Sequence, residues 1–195
     1  MKHFYIFRHG ESTYNVENRV QGHSDDSQLT EKGRLQAVET AQRLKDKHIE
    51  IIISSPLKRA IQTGNIVAGE LNVPIVTDER FIEVNVGVIE GLTYDEVLRQ
   101  HGELYKKWRS SDRDKTDVCF ENGETRKNVR RRVFDALNFY AEDNRYDNIA
   151  VSGHGIIVIQ ALLALGIEQN DIPNGSVVHL SYEQKQWDSH GFVSH

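Results

Sequence analysis

Three runs along the chain, "HFYIF" (residues 3–7), "IEIIIS" (49–54) and "NIAVS" (148–152), are rich in apolar residues, and the middle one is β-branched almost throughout. A strand with one wet face alternates apolar and polar side chains, whereas a continuous apolar run must be covered on both faces. Between these runs the apolar residues change to the helical period. Residues 30–47 place Leu35, Val38, Ala41 and Leu44 on one face behind Thr30 as N-cap. A second helix follows "IEIIIS", with Ser55 expected as its N-cap and Pro56 at its first helical position. A third, over about 124–140, has Val129, Val133, Ala136, Leu137 and Tyr140 in register, and the apolar "IIVIQALLALG" (156–166) reads as a fourth. "VPIVT" (73–77) is a short strand, residues 93–109 form one or two short helices, and "SVVHLSYE" (176–183) is the expected last strand. Strand and helix in alternation predict an α/β fold. The expectation is a three-layer sandwich, a mostly parallel sheet with helices on both faces, built as one domain over residues 1–195. A small helical cap, an excursion around 84–125, would lie over the carboxyl ends of the strands.

Composition narrows the class. A chain of 195 residues, 38% hydrophobic and 27% charged, has the makings of a folded domain with a substantial core. No apolar run approaches the ~20 residues of a membrane helix, and the N-terminal stretch "MKHFYIFRHG" lacks a small-residue cleavage site. Cys119 is the only cysteine, so no internal disulfide can form, and a reducing cytoplasm is the expected location. The net charge of −5 speaks against a general nucleic-acid binder, and any anion must meet a local cationic pocket.

The strand ends point to such a pocket. Ligands of open α/β sheets sit beyond the carboxyl ends of the strands. His9 follows "HFYIF" and Arg8, and His154 follows "NIAVS", each histidine with a glycine after it. Arg59 lies near the start of the helix after the second strand, where free N–H groups also favour anions. Arg8, His9, Arg59 and His154 would form a compact cationic pocket on an acidic protein, and a phosphoryl group suits the guanidinium fork.

Taken with these residues, "RHGES" (8–12) with "YN" behind it, "LTEKGRLQA" (29–37), "SSPLKRAIQT" (54–63), "FIEVNVGVIEGLT" (81–93) and "VSGHG" (151–155) are ordered as in the histidine phosphatase superfamily. The chain resembles its branch of cofactor-dependent phosphoglycerate mutases and related phosphatases from about residue 3 to residue 182. The resemblance implies that His9 is the nucleophile and becomes phosphohistidine. It implies that Arg8, Arg59 and His154 bind the transferred group, with Gly155 beside them, and that Glu83 is the acid that protonates the leaving oxygen and then activates water. Asn15 would be a further phosphate donor, and Gln21 and Gly22 match a "QG" element near the pocket. No metal and no cofactor is implied, and the partner would be a small phosphorylated metabolite. Neither nucleic acid nor a membrane is expected, and a homodimer is left open.

These roles make chemical sense. Neutral imidazole has a free lone pair at pH 7 and can attack phosphorus directly. Phosphoryl transfer needs charge stabilisation and in-line positioning, which two arginines can supply. The chain departs from the pattern at Ile89, where related phosphatases often have tryptophan, and at Gln28, where proline is common. Mutases of the family usually carry "HYG" after the acid and a longer insertion; "VNVG" and 195 residues favour hydrolysis here. The rivals are mutase-type transfer, a protein phosphatase acting on phosphorylated side chains, and an inactive phosphate-binding module. Glu90 rivals Glu83 as the acid. The basic run Arg126, Lys127, Arg130, Arg131 and Arg132 reads most simply as a solvated helix face, with a second anion contact as the minority reading. His190 and His195 in the tail are expected to be idle. A cysteine-phosphatase reading fails, because Arg126 comes one residue too late after Cys119.

Overall fold

The computed structural model describes residues 1–110 and 117–194. Six strands, β1 (Lys2–Arg8), β2 (Ile51–Ser54), β3 (Ile75–Thr77), β4 (Asn148–Gly153), β5 (Val177–Glu183) and β6 (Gln186–Phe192), form one sheet in the order β3-β2-β4-β1-β5-β6. The first four in that order run parallel; β5 is antiparallel to β1, and β6 antiparallel to β5. The helices are α1 (Thr13–Val16), α2 (Glu31–Leu44), α3 (Lys58–Leu71), α4 (Tyr94–Arg109), α5 (Arg126–Glu142) and α6 (Gly155–Ala164). None of the helices described is long and apolar enough to cross a membrane.

The period of two along β1 sorts its side chains to two cores. Tyr5 and Phe7 pack with Ile52, with Ala41 and Leu44 of α2, and with Val67 and Ala68 of α3. Phe4 and Ile6 point the other way, into a cluster with Val129, Val133 and Leu137 of α5 and Ile157 and Ala161 of α6. Both faces are therefore covered, which is why the strands are apolar throughout.

Several local expectations are corrected. On α2, Leu35 is 58% exposed, and the buried stripe is Gly33, Ala37, Thr40, Ala41 and Leu44. Small residues take the inner face because the helix start touches the backbone beyond β1: a Cβ on Gly10 would sit 2.1 Å from the Gly33 carbonyl oxygen. That close approach is why a glycine follows His9. Thr30 does cap α2, accepting from the Gly33 N–H at 3.0 Å. Helix α3, in contrast, starts at Lys58 with Leu57 as N-cap, because Leu57 is still extended at φ −69°, ψ 137°. Residues 93–109 do agree with one or two short helices: Tyr94–Arg109 is two helical segments that meet at the non-helical His101. Strand β5 is not the last strand. Gln184 and Lys185 both have positive φ, as a two-residue hairpin turn of the twisted type requires, and β6 returns along β5.

The basic run is not a solvated face. Arg126 is 3% exposed and donates to the carbonyl oxygen of Trp108. Arg130 and Arg132 are half-buried, and only Lys127 and Arg131 face water. His190 is not isolated: its ring stacks on His179, and its Nε2 lies 2.8 Å from Ser181 Oγ. His195 lies outside the described residues.

Candidate active site

The carboxyl end of β1 delivers Arg8 and His9, and that of β4 delivers His154 as N-cap of α6, followed by Gly155. Arg59 comes from the first turn of α3, Asn15 from α1, and Glu83 from the loop between β3 and α4. Arg8, His9, Asn15, Arg59, Glu83 and Gly155 line one cleft of about 200 Å³, with Gln21 and Gly22. The ring of His154 stands edge-on to that of His9, with centroids 5.4 Å apart.

His9 is buried, and its Nδ1 lies 2.7 Å from the carbonyl oxygen of Gly10. That contact requires a proton on Nδ1, so the neutral ring carries its lone pair on Nε2. Burial, then the charges of Arg59 and Arg8, hold its pKa well below 6.5. These causes disfavour imidazolium and outweigh the hydrogen bond to Gly10, which favours it, so as pH falls through 6.5 the lone pair persists. Ring-carbon NMR shifts of His9 in the free protein should therefore still report neutral imidazole at pH 6.5. A midpoint at or above 6.5 would contradict this environment.

Three buried donors around that ring have no partner within the protein: Arg8 Nε, Arg59 Nε and His154 Nδ1. Four further nitrogens of these residues are anchored. Arg8 Nη1 donates to the carbonyl of Ile172, and Arg59 donates through Nη1 to Ser24 O and through Nη2 to Gly22 O, both at 2.8 Å. Burial lowers the Arg59 pKa to about 10, so it remains charged at neutral pH. His154 Nε2 lies 2.7 Å from Ser55 Oγ, which also accepts from the Leu57 N–H at 3.4 Å. With the Ser55 hydroxyl donating to Nε2, the neutral ring keeps its proton on Nδ1, the atom left without a partner. Burial and the charge of Arg59 hold His154 neutral, with a pKa well below 6.5. An unsatisfied buried donor costs ~1–3 kcal/mol, so three together mark a place built for an anion.

Glu83 is buried, with Oε1 accepting from the Val84 N–H at 3.0 Å and Oε2 from the Ile156 N–H at 3.1 Å. Glu90 sits elsewhere: its Oε2 accepts from the His23 N–H at 2.9 Å. The geometry therefore puts Glu83, not Glu90, in the cleft. Asn15 Oδ1 accepts from the Ser12 N–H and from Asn174 Nδ2, which leaves the Asn15 NH₂ group for the cleft. Gln21 Oε1 accepts from Ser12 Oγ at 3.0 Å. Gly22, at φ +50°, is needed for fit, since a Cβ there would come 2.4 Å from Val86 Cγ2, and its carbonyl anchors Arg59.

Other residues of this neighbourhood were not anticipated. From its sequence Ser55 reads as a helix cap, yet its hydroxyl meets His154. Asn174 Nδ2 donates to the backbone carbonyl oxygen of His9, at 3.0 Å, and to Asn15 Oδ1, at 3.2 Å; the turn-forming "DIPNGS" is its only signal in the sequence. Tyr94, Tyr105, Trp108 and Arg109 of α4, with Asp171 and Ile172, wall the outer cleft. No cluster of three or more His, Cys, Asp or Glu among the described residues is arranged to hold a metal ion.

Comparison with known proteins agrees with this geometry. The chain is 32% identical to a probable phosphoglycerate mutase, GpmB, of Escherichia fergusonii over 200 residues, covering 99% of this chain and 91% of that one. A mycobacterial glucosyl-3-phosphoglycerate phosphatase, solved in complex with VO3, superposes with a TM-score of 0.88 at 26% identity over all of both chains. Bacillus stearothermophilus YhfR gives a TM-score of 0.87 at 27% identity, over 98% of this chain and 96% of that one. The family model of the histidine phosphatase superfamily (branch 1) matches residues 4–194, and the chain belongs to that superfamily.

Proposed function

We propose that this protein is a metal-independent phosphatase that hydrolyses small phosphomonoesters through phosphohistidine at His9. The observation that carries the reading is the set of three unpartnered buried donors around a neutral imidazole whose Nε2 holds a lone pair. In the first step Nε2 attacks phosphorus, and the bond from phosphorus to the leaving oxygen breaks. Arg8, Arg59 and His154 donate to the non-bridging oxygens as charge shifts onto them. Glu83 gives its proton to the leaving oxygen. In the second step the Glu83 carboxylate takes a proton from water as the water attacks phosphorus, and Nε2 leaves with the bonding electrons.

Relatives named as probable phosphoglycerate mutases favour transfer as a second reading. Against it stands the outer cleft, whose described lining is largely aromatic, with Tyr94, Tyr105 and Trp108 beside Arg19 and Arg109. One experiment separates the two. Purified protein in excess chelator should release inorganic phosphate from a panel of small phosphomonoesters. With 3-phosphoglycerate, release should exceed formation of the 2-isomer. Isomer without net phosphate would establish the mutase, and activity restored only by added Mg²⁺ or Zn²⁺ would overturn the metal-independent mechanism.

Arg59 cannot be exchanged for lysine without cost. Its two Nη groups are anchored to Ser24 and Gly22, and Nε is left for the substrate. An ammonium makes a point contact and cannot fill all three positions. Arg59→Lys should lower kcat/KM by roughly 10- to 1000-fold. An unimpaired variant would make Arg59 structural only.

A further inference from the structure

We infer that Arg132 is a positioning residue for Glu83, aiming the proposed acid by gripping its backbone. This rests on the reading of Glu83 as the acid. Arg132 lies on α5 and uses all five of its N–H donors. Nη1 donates to the carbonyl oxygens of Arg80, at 2.8 Å, and of Ile82, at 2.6 Å. Nη2 donates to the carbonyl of Glu83 at 3.0 Å and to Glu124 Oε2 at 2.9 Å, while Nε reaches Glu124 Oε1 at 2.9 Å. The bidentate pair with Glu124 balances the charge and turns the remaining fork toward three carbonyls of one short loop.

The carbonyl of Glu83 has a second donor. His23 Nε2 lies 2.7 Å from it, and the His23 backbone is held by Glu90 at 2.9 Å. Two donors on one carbonyl and two N–H groups on the carboxylate fix residue 83 at both ends. Glu83 itself lies outside any helix or strand, between the single 3-10 turns Glu79–Phe81 and Gly87–Ile89, so these contacts supply rigidity that a longer regular element would otherwise give. Displacing a reacting group by 1 Å can cost about 100-fold, so such a grip has a catalytic consequence.

The arrangement also explains why arginine is required at position 132. An ammonium has three donors and no planar fork, so Arg132→Lys can hold the loop only in part. Arg132→Met removes every contact.

The test is a double-mutant cycle read with two substrates. Phosphorylation of His9 is followed directly for an alkyl phosphate, which needs a protonated leaving oxygen, and for p-nitrophenyl phosphate, which needs it little. Arg132→Met should slow the alkyl substrate by about tenfold or more and the aryl substrate by less than about threefold, with Arg132→Lys between Met and wild type. In a Glu83→Gln background, Arg132→Met should add nothing further. Should Arg132→Met fail to fold, His23→Ala, which removes the other donor to the same carbonyl, must show the same selective loss. Equal losses on both substrates, or a full additional loss in the Glu83→Gln background, would overturn the inference while leaving Glu83 as the acid. Glu83→Gln without a leaving-group-dependent loss would instead strike the acid itself, and the role of Arg132 with it.

Discussion

His9→Ala should abolish both turnover and covalent labelling, the largest effect expected of any single substitution. Alanine removes Nε2, and no other side chain described in the cleft offers a neutral nitrogen lone pair at that place. Loss should be at least roughly 10,000-fold, as for removal of other covalent nucleophiles. In the wild type, brief incubation with a good substrate should leave phosphate on His9. The bond should survive base and break in acid, since protonating the ring nitrogen turns it into a good leaving group. The variant should still bind inorganic phosphate, because Arg8, Arg59 and His154 keep their anchors on Ile172, Gly22, Ser24 and Ser55. Retained binding with lost labelling separates a missing nucleophile from a collapsed cleft. Labelling that survives His9→Ala would remove the central proposal.

For Glu83→Gln, the loss depends on the leaving group. A strongly basic alkoxide needs its proton in the transition state, so an alkyl phosphate should react roughly 100- to 10,000-fold more slowly. The phenolate of p-nitrophenyl phosphate departs readily, so its phosphorylation step should suffer far less. The two steps must be resolved, because in the proposed mechanism hydrolysis of phosphohistidine also draws on Glu83. One structural cost accompanies the chemical one. The two carboxylate oxygens accept from the Val84 and Ile156 N–H groups, so an amide would turn its NH₂ toward one of those donors. Thermal denaturation of the variant measures that cost separately. Glu90→Gln should loosen the loop at His23 without the leaving-group dependence. The reverse pattern, with Glu90→Gln selective and Glu83→Gln not, would move the acid to Glu90 and leave phosphohistidine intact.

Much of the architecture follows from local chemistry along the chain. Apolar runs at β1, β2 and β4 demand cover on both faces, and the helical periods between them supply it. Thr30 caps α2 because a hydroxyl at that position finds the Gly33 N–H within its own turn. Arg8, His9 and His154 stand at strand carboxyl ends whatever the details of packing, so their meeting could be read from order alone. Features that join distant parts of the chain could not. Ser55 has the sequence of a helix cap, yet its hydroxyl goes to His154, 99 residues away. Leu35 fits the helical period as well as Ala37 does, but only small residues allow α2 to approach the turn after β1. The arginines of α5 show the same limit. A run of charge beside the apolar stripe of Val129 and Val133 looks alike in sequence whether water or protein covers it. What decides is the acceptor on the far side: the Trp108 carbonyl for Arg126, and for Arg132 three carbonyls of a loop that reaches α5 only through the folded chain. Periodicity assigns a residue to a face, whereas the hydrogen-bond partner waiting there exists only once the chain has closed on itself.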